Sequence, residues 1–156
     1  MKNIYFPDEE ITFNDIYFVC YMIERTARNL KQKNNYVVQH MGQDGIARQL
    51  SIAETNHCLD PKQVEDEWIE EYRLQRGNND VTNVDKEYNT NIPTEIQMGK
   101  VYARLVDSVT TDGDSVKAIQ NVYASPICNV IDNYNSSAYY EPSYVQTRAY
   151  HNGFFE

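Results

Sequence analysis

Few side chains in this chain have the type and spacing to do chemistry. They are His40, His57 and His151, the cysteines Cys20, Cys58 and Cys128, and five carboxylates within seven residues, Glu65, Asp66, Glu67, Glu70 and Glu71. A metal centre needs ligands at spacings such as H-E-x-x-H or C-x-x-C, and none of the six His and Cys residues stands in one. His57 beside Cys58 has the composition of a thiol–imidazole pair. Side chains adjacent on a helix diverge, however, so the sequence predicts a helix-end histidine and a buried cysteine. An enzyme would have to assemble a small site from His57, Glu54 and nearby tyrosine hydroxyls. No phosphate-cradling or nucleophile-elbow glycine motif occurs, so no cofactor is expected, and "DGDS" at 112–115 lacks the other ligands of a calcium loop.

The acidic run could carry acid–base chemistry or hold a divalent cation. Four of its five members fall opposite Val64, Trp68 and Tyr72 on a helix, which predicts a solvated face, or one that presents charge to a basic partner. The chain as a whole is acidic, with 14 basic and 23 acidic residues and a net charge of −9. Such a surface repels phosphate backbones and excludes general nucleic-acid binding. Three unpaired, widely spaced cysteines and no apolar leader or span predict a cytoplasmic protein without a membrane segment.

The elements that must position these groups are helical. Ile16, Cys20, Ile23, Ala27 and Leu30 draw one apolar stripe along a helix from about Thr12 to Lys33, with Thr12 and Asp15 as a capping box. Two short helices follow, the first capped by Asn35 and ended by Gly42, the second capped by Asp44. Asp60 and Pro61 open the acidic helix, and Arg73, Arg76 and Gly77 are expected to close it. Residues 77–93 are rich in Asn and Asp and read as a polar linker or long loop, with room for a short strand at 81–84. Thr94 with Gln97 caps the next helix, Asp114 the one after, and Ser125–Pro126 a third with Ile127, Val130, Ile131 and Tyr134 inward. Glu141–Pro142 opens the last helix, which Gly153 stops. The expectation is an all-α bundle of seven or eight short helices, divisible into lobes at 1–76 and 94–156, the second packed on the first.

Five of the 13 tyrosines lie in "NYNSSAYYEPSYVQTRAY", residues 133–150. With Arg148 its single base, the stretch lacks the cationic groove that base stacking requires. Its rings are expected to divide between core and surface, with hydroxyls bonded to Ser136 or Glu141 and Tyr140 stapled onto Tyr144.

The order "FVCYMIERTARNL", "YVVQHMG", "LSIAETNHC", "VEDEWIEEY" resembles a small bacterial all-helical family of unknown function, over residues 13–74. Members of that family are often encoded beside toxin enzymes of the ADP-ribosyltransferase type. The resemblance implies an antitoxin or immunity-type binding protein that inhibits or regulates a partner. On that reading Glu67, Glu70 and Glu71 steer the partner while Tyr139, Tyr140 and Tyr144 anchor it. The rivals are the small enzyme centred on His57 and a structural protein that self-associates through a symmetric apolar face.

Overall fold

A computed structural model describes residues 1–87, 89 and 91–156. Helix α1 spans Phe13–Leu30, and Thr12 and Asp15 cap it reciprocally: the Thr12 hydroxyl accepts from the Asp15 amide while the Asp15 carboxylate accepts from the Thr12 amide. Its apolar stripe is buried from Ile16 to Ala27, with Val19, Cys20, Met22 and Ile23 between them, while Leu30 is half-buried. Lys31, in left-handed conformation, ends the helix, and Lys33 already stands at the N-cap of α2.

Helix α2 spans Asn34–Asn56 as two helical segments joined at a kink, as the sequence predicts. Gly42, with a φ of 67° and a ψ of −179°, breaks the helix there, and it resumes beyond. The expected Asn35 cap is displaced, since Lys33 is the N-cap and offers no side-chain bond. Helix α3 spans Pro61–Glu71 behind the Asp60 cap, but it closes earlier than the sequence suggests. Arg73 takes a φ of 53°, so Arg73, Arg76 and Gly77 lie beyond the helix rather than in its last turn.

Helix α4 (Glu95–Val109) carries the Thr94–Gln97 capping box, and α5 (Ser115–Tyr123) begins where Asp114 accepts from the Lys117 amide. Helix α6 (Pro126–Ile131), a 3₁₀ turn at Ala138–Tyr140, and α7 (Ser143–Asn152, ended by Gly153 at a φ of 84°) complete the chain. Val130 departs from the expected pattern: it faces solvent while Ile127 and Ile131 turn inward. Among the described residues there is no strand at 81–84 or elsewhere, and one isolated antiparallel bridge joins Lys2 to Glu10. No described helix is long and apolar enough to cross a membrane.

The principal helix pair is α1 with α4; α2 and α3 pack on α1, α5 on α2 and α4, and α7 on α4. A Cβ on Gly99 would stand 2.7 Å from Tyr21 Cα and 2.8 Å from its amide nitrogen. The two helix backbones therefore approach as closely as they do because position 99 has no side chain. The 77–93 segment is fastened at both ends. The Gly77 and Asn79 amides donate to Leu30 and Lys31 carbonyls at 2.8 Å, and Arg28 Nη1 donates to the Pro93 carbonyl at 2.9 Å.

Candidate functional site

The first turns of α1, the end of α2 and the starts of α3 and α4 enclose an open groove of about 930 Å³. Its apolar lining comes from Tyr17, Phe18 and Tyr21 of α1 and from Ile96 of α4, which is 56% exposed. Glu9, Glu10, Asp15 and Glu54 stand around it, and no lysine or arginine lines it among the described residues. Glu10 is paired with Lys2 at 3.6 Å and Asp15 is engaged in the helix cap, which leaves Glu9 and Glu54 as its uncommitted carboxylates. Nearby, Ile4, Tyr5 and Phe6 are exposed on a segment tied to α2 by the Asn3 side chain, which donates to the Ser51 carbonyl at 2.7 Å.

His57 and Glu54 both line this groove, so the structure brings together the pair that the enzyme reading requires. Both are exposed, and the groove is open to water. His57 is the C-cap of α2, with Nδ1 3.3 Å from the Ala53 carbonyl. Because the chain leaves the helix there, Cys58 is not buried and not turned away: it is exposed, with its Sγ 3.8 Å from His57 Nε2. The helix-end histidine is as the sequence predicts, whereas the buried cysteine and the divergence of the two side chains are not borne out.

The predicted docking residues fall on separate elements. Glu67, Glu70 and Glu71 are exposed on α3, with Glu71 3.4 Å from Arg48. Glu65 is the member of the acidic run that does not face solvent. It is buried against α1, accepts from Asn29 at 2.6 Å and pairs with Arg25 at 3.3 Å and Lys62 at 3.4 Å. Trp68 is core and Tyr72 half-buried, its hydroxyl accepting from Gln49 at 2.8 Å. Tyr139 is half-buried edge-on to Tyr134, whereas Tyr140 and Tyr144 are 68% and 70% exposed. Tyr140 pairs edge-on with Tyr139 rather than stapling onto Tyr144. Among the described residues no tyrosine hydroxyl of the segment bonds Ser136 or Glu141; that carboxylate accepts from Ser137 instead.

The molecule also holds a buried polar network that the sequence reading missed. Asn34 Nδ2 donates to Glu24 Oε2 at 3.1 Å and to Asp132 Oδ2 at 3.0 Å. Tyr102 of α4 donates to Asp132 Oδ1 at 2.6 Å, and the Cys128 thiol lies 3.4 Å from Asp132 Oδ2. Burial, reinforced by the neighbouring Asp132 charge, pushes the Glu24 carboxyl well above the usual carboxylate range. Burial also raises Asp132 to about 6, against the opposing pull of Tyr102, Cys128 and Asn34. Tyr123 stacks on Tyr102 at 4.6 Å, and its buried hydroxyl, beside Cys20 and Glu24, meets neither at hydrogen-bond geometry. A signal for Glu24 does exist in sequence: it sits four residues after Cys20 and three before Ala27, a carboxylate among the apolar positions of the α1 stripe.

Comparison with known proteins finds no family model, no curated protein and no solved structure that matches the chain.

Proposed function

We propose that this chain is an acidic helical binding protein of the antitoxin or immunity type, which inhibits or regulates a basic partner protein in the cytoplasm. The observation that carries the reading is the groove beside α1: an apolar floor of Tyr17, Phe18, Tyr21 and Ile96 under a carboxylate rim, without a lining cation among the described residues. An amphipathic segment with an apolar stripe and flanking lysines or arginines fits such a groove, burying its stripe while its cations meet Glu9 and Glu54. Glu67, Glu70 and Glu71, exposed on α3, extend the negative field that steers such a partner. Tyr140 and Tyr144 offer a second, aromatic contact at the α7 end.

Co-expression with the product of the adjacent gene tests the reading. The wild-type chain relieves that product's toxicity and binds it in titration with an affinity that falls as salt rises. Glu9→Lys with Glu54→Lys weakens binding by about tenfold or more and flattens the salt slope. Unchanged affinity and slope in this variant, or an adjacent product that does not bind, sinks the proposal. A second reading, a small enzyme, is favoured by Glu54 and His57 sharing the groove. It requires a turnover that His57→Ala abolishes without altering partner binding.

A further inference from the structure

The groove beside α1, at about 930 Å³, falls near the top of the roughly 300–1,000 Å³ typical of small-ligand sites. Its floor combines the half-buried rings of Tyr17, Phe18 and Tyr21 with the exposed side chain of Ile96. The polar atoms of that floor are committed within the protein. The Tyr17 hydroxyl donates to the Ile96 carbonyl at 3.4 Å, and the Tyr21 hydroxyl accepts from Arg25 at 3.2 Å. Thr12 and Asp15 cap each other. Glu9 and Glu54 stand exposed among the lining residues and carry no ion pair among the described residues. Two nearby cations are already paired, Lys2 with Glu10 at 3.6 Å and Arg25 with Glu65 at 3.3 Å.

These features select among ligand classes. The carboxylates repel an anion, and a hydrated metal ion gains nothing from an aromatic floor. A primary ammonium brings three donors to a floor whose acceptors are committed. A neutral apolar molecule covers the floor but leaves Glu9 and Glu54 without a counter-charge. A cation whose charge is delocalised, or wrapped in apolar groups, satisfies both halves of the groove. Its body buries against the rings and Ile96, the aromatic lining attracts its charge, and the two free carboxylates complement it.

We propose that this groove binds small lipophilic cations of the quaternary ammonium or phosphonium class, with the apolar body on Tyr17, Phe18, Tyr21 and Ile96 and the charge beside Glu9 and Glu54. The site lies wholly within this chain, so the binding requires no partner protein. It shares its groove with the antitoxin reading but does not rest on it.

Titration calorimetry on the full chain tests the assignment with tetraphenylphosphonium and tetraphenylborate, ions of similar size and shape but opposite charge. The phosphonium binds saturably, and the borate binds about tenfold more weakly or not at all. Ile96→Ser and Glu54→Gln, both at exposed positions, each weaken phosphonium binding by about threefold or more. Asp107→Asn, exposed near the far end of α4, removes the same charge as Glu54→Gln and leaves the affinity unchanged. Absence of saturable phosphonium binding overturns the proposal. So does equal binding of the borate, a comparison made on the wild-type chain and therefore independent of any variant's folding. Unchanged affinity in Glu54→Gln overturns it as well, and so does an equal loss in Asp107→Asn, which would mean attraction to the overall negative charge. Phosphonium binding by a chain that ignores the adjacent gene product supports this site and sinks only the antitoxin reading; partner binding without phosphonium binding does the reverse.

Discussion

Glu24 on α1 and Asp132 just beyond α6 accept hydrogen bonds from one amide nitrogen, Asn34 Nδ2. Two carboxylates bridged by a single neutral donor cannot both carry charge cheaply in a buried setting, so the pair retains a proton at pH values where exposed acids have lost theirs. The network gathers α1, α2, α4 and α6 at one point, since Tyr102 and Cys128 join it.

Stability should therefore rise on mild acidification. The folded-state pKa of both carboxyls lies above the ordinary value, so the folded chain binds protons more tightly than the unfolded one. The stabilisation is complete below about pH 4 and is lost as pH climbs through about 6, the value to which Asp132 is raised. The expected gain between pH 7 and pH 5 is on the order of 2 kcal/mol. Urea melts at the two pH values check it, and Glu24→Gln should melt higher at pH 7 and show a smaller difference. A wild-type chain that loses stability over this range contradicts the account.

Gly99→Ala should loosen the α1–α4 pair. The added methyl meets Tyr21 backbone at 2.7 and 2.8 Å, atoms that cannot rotate away as a side chain would. A loss of about 2 kcal/mol is expected, with helix content retained, measured by chemical denaturation followed by circular dichroism.

The acidic helix should respond to substitution by position rather than by charge. Glu65→Ala strands Arg25 beside an emptied buried site, and a loss of about 2 kcal/mol follows from breaking a largely buried ion pair. Glu70→Ala, on the exposed face of the same helix, should leave the melting temperature unchanged. Equal effects at the two positions would mean that Glu65 does not dock α3 onto α1.

Thiol labelling should separate one cysteine from two. Cys58 is exposed, whereas burial pushes Cys20 up to about 12 and Cys128 well above its ordinary value. The native chain should take up one equivalent of a thiol reagent at pH 8, at Cys58, and the denatured chain three. Rapid modification of Cys20 or Cys128 in the native state would show that the core opens.

What could be read in advance divides along local and distant causes. The caps at Thr12–Asp15, Asp60–Pro61, Thr94–Gln97, Asp114 and Gly153 lie where the sequence puts them, because a cap is decided by residues within one turn. Readings failed where tertiary context outweighs local grammar. Asn35 resembles an N-cap, yet Lys33 takes that place and Asn34 is drawn inward to bond Glu24 and Asp132. Arg73 and Arg76 resemble a helix end, but the chain turns at Arg73 to place Leu74 in the core. The His57–Cys58 contact needed the exit angle from α2, which residue spacing does not encode. The Glu24–Asp132 pair escaped because its members are far apart in sequence, although a carboxylate in the α1 stripe was visible. The groove escaped for a similar reason, since its walls come from four helices and the segment before α1.

The α1–α4 pairing also governs how the chain must be made. Tyr17 and Ile96, bonded across the two helices, are 79 positions apart. A ribosome adding about 5–20 residues per second releases α1 on the order of 5–15 seconds before α4 follows. Until then the apolar face of α1 lacks α4, the helix whose Gly99 lets the two backbones close together. The growing chain is most exposed to mispairing in that window, and a pause in translation before residue 95 would lengthen it.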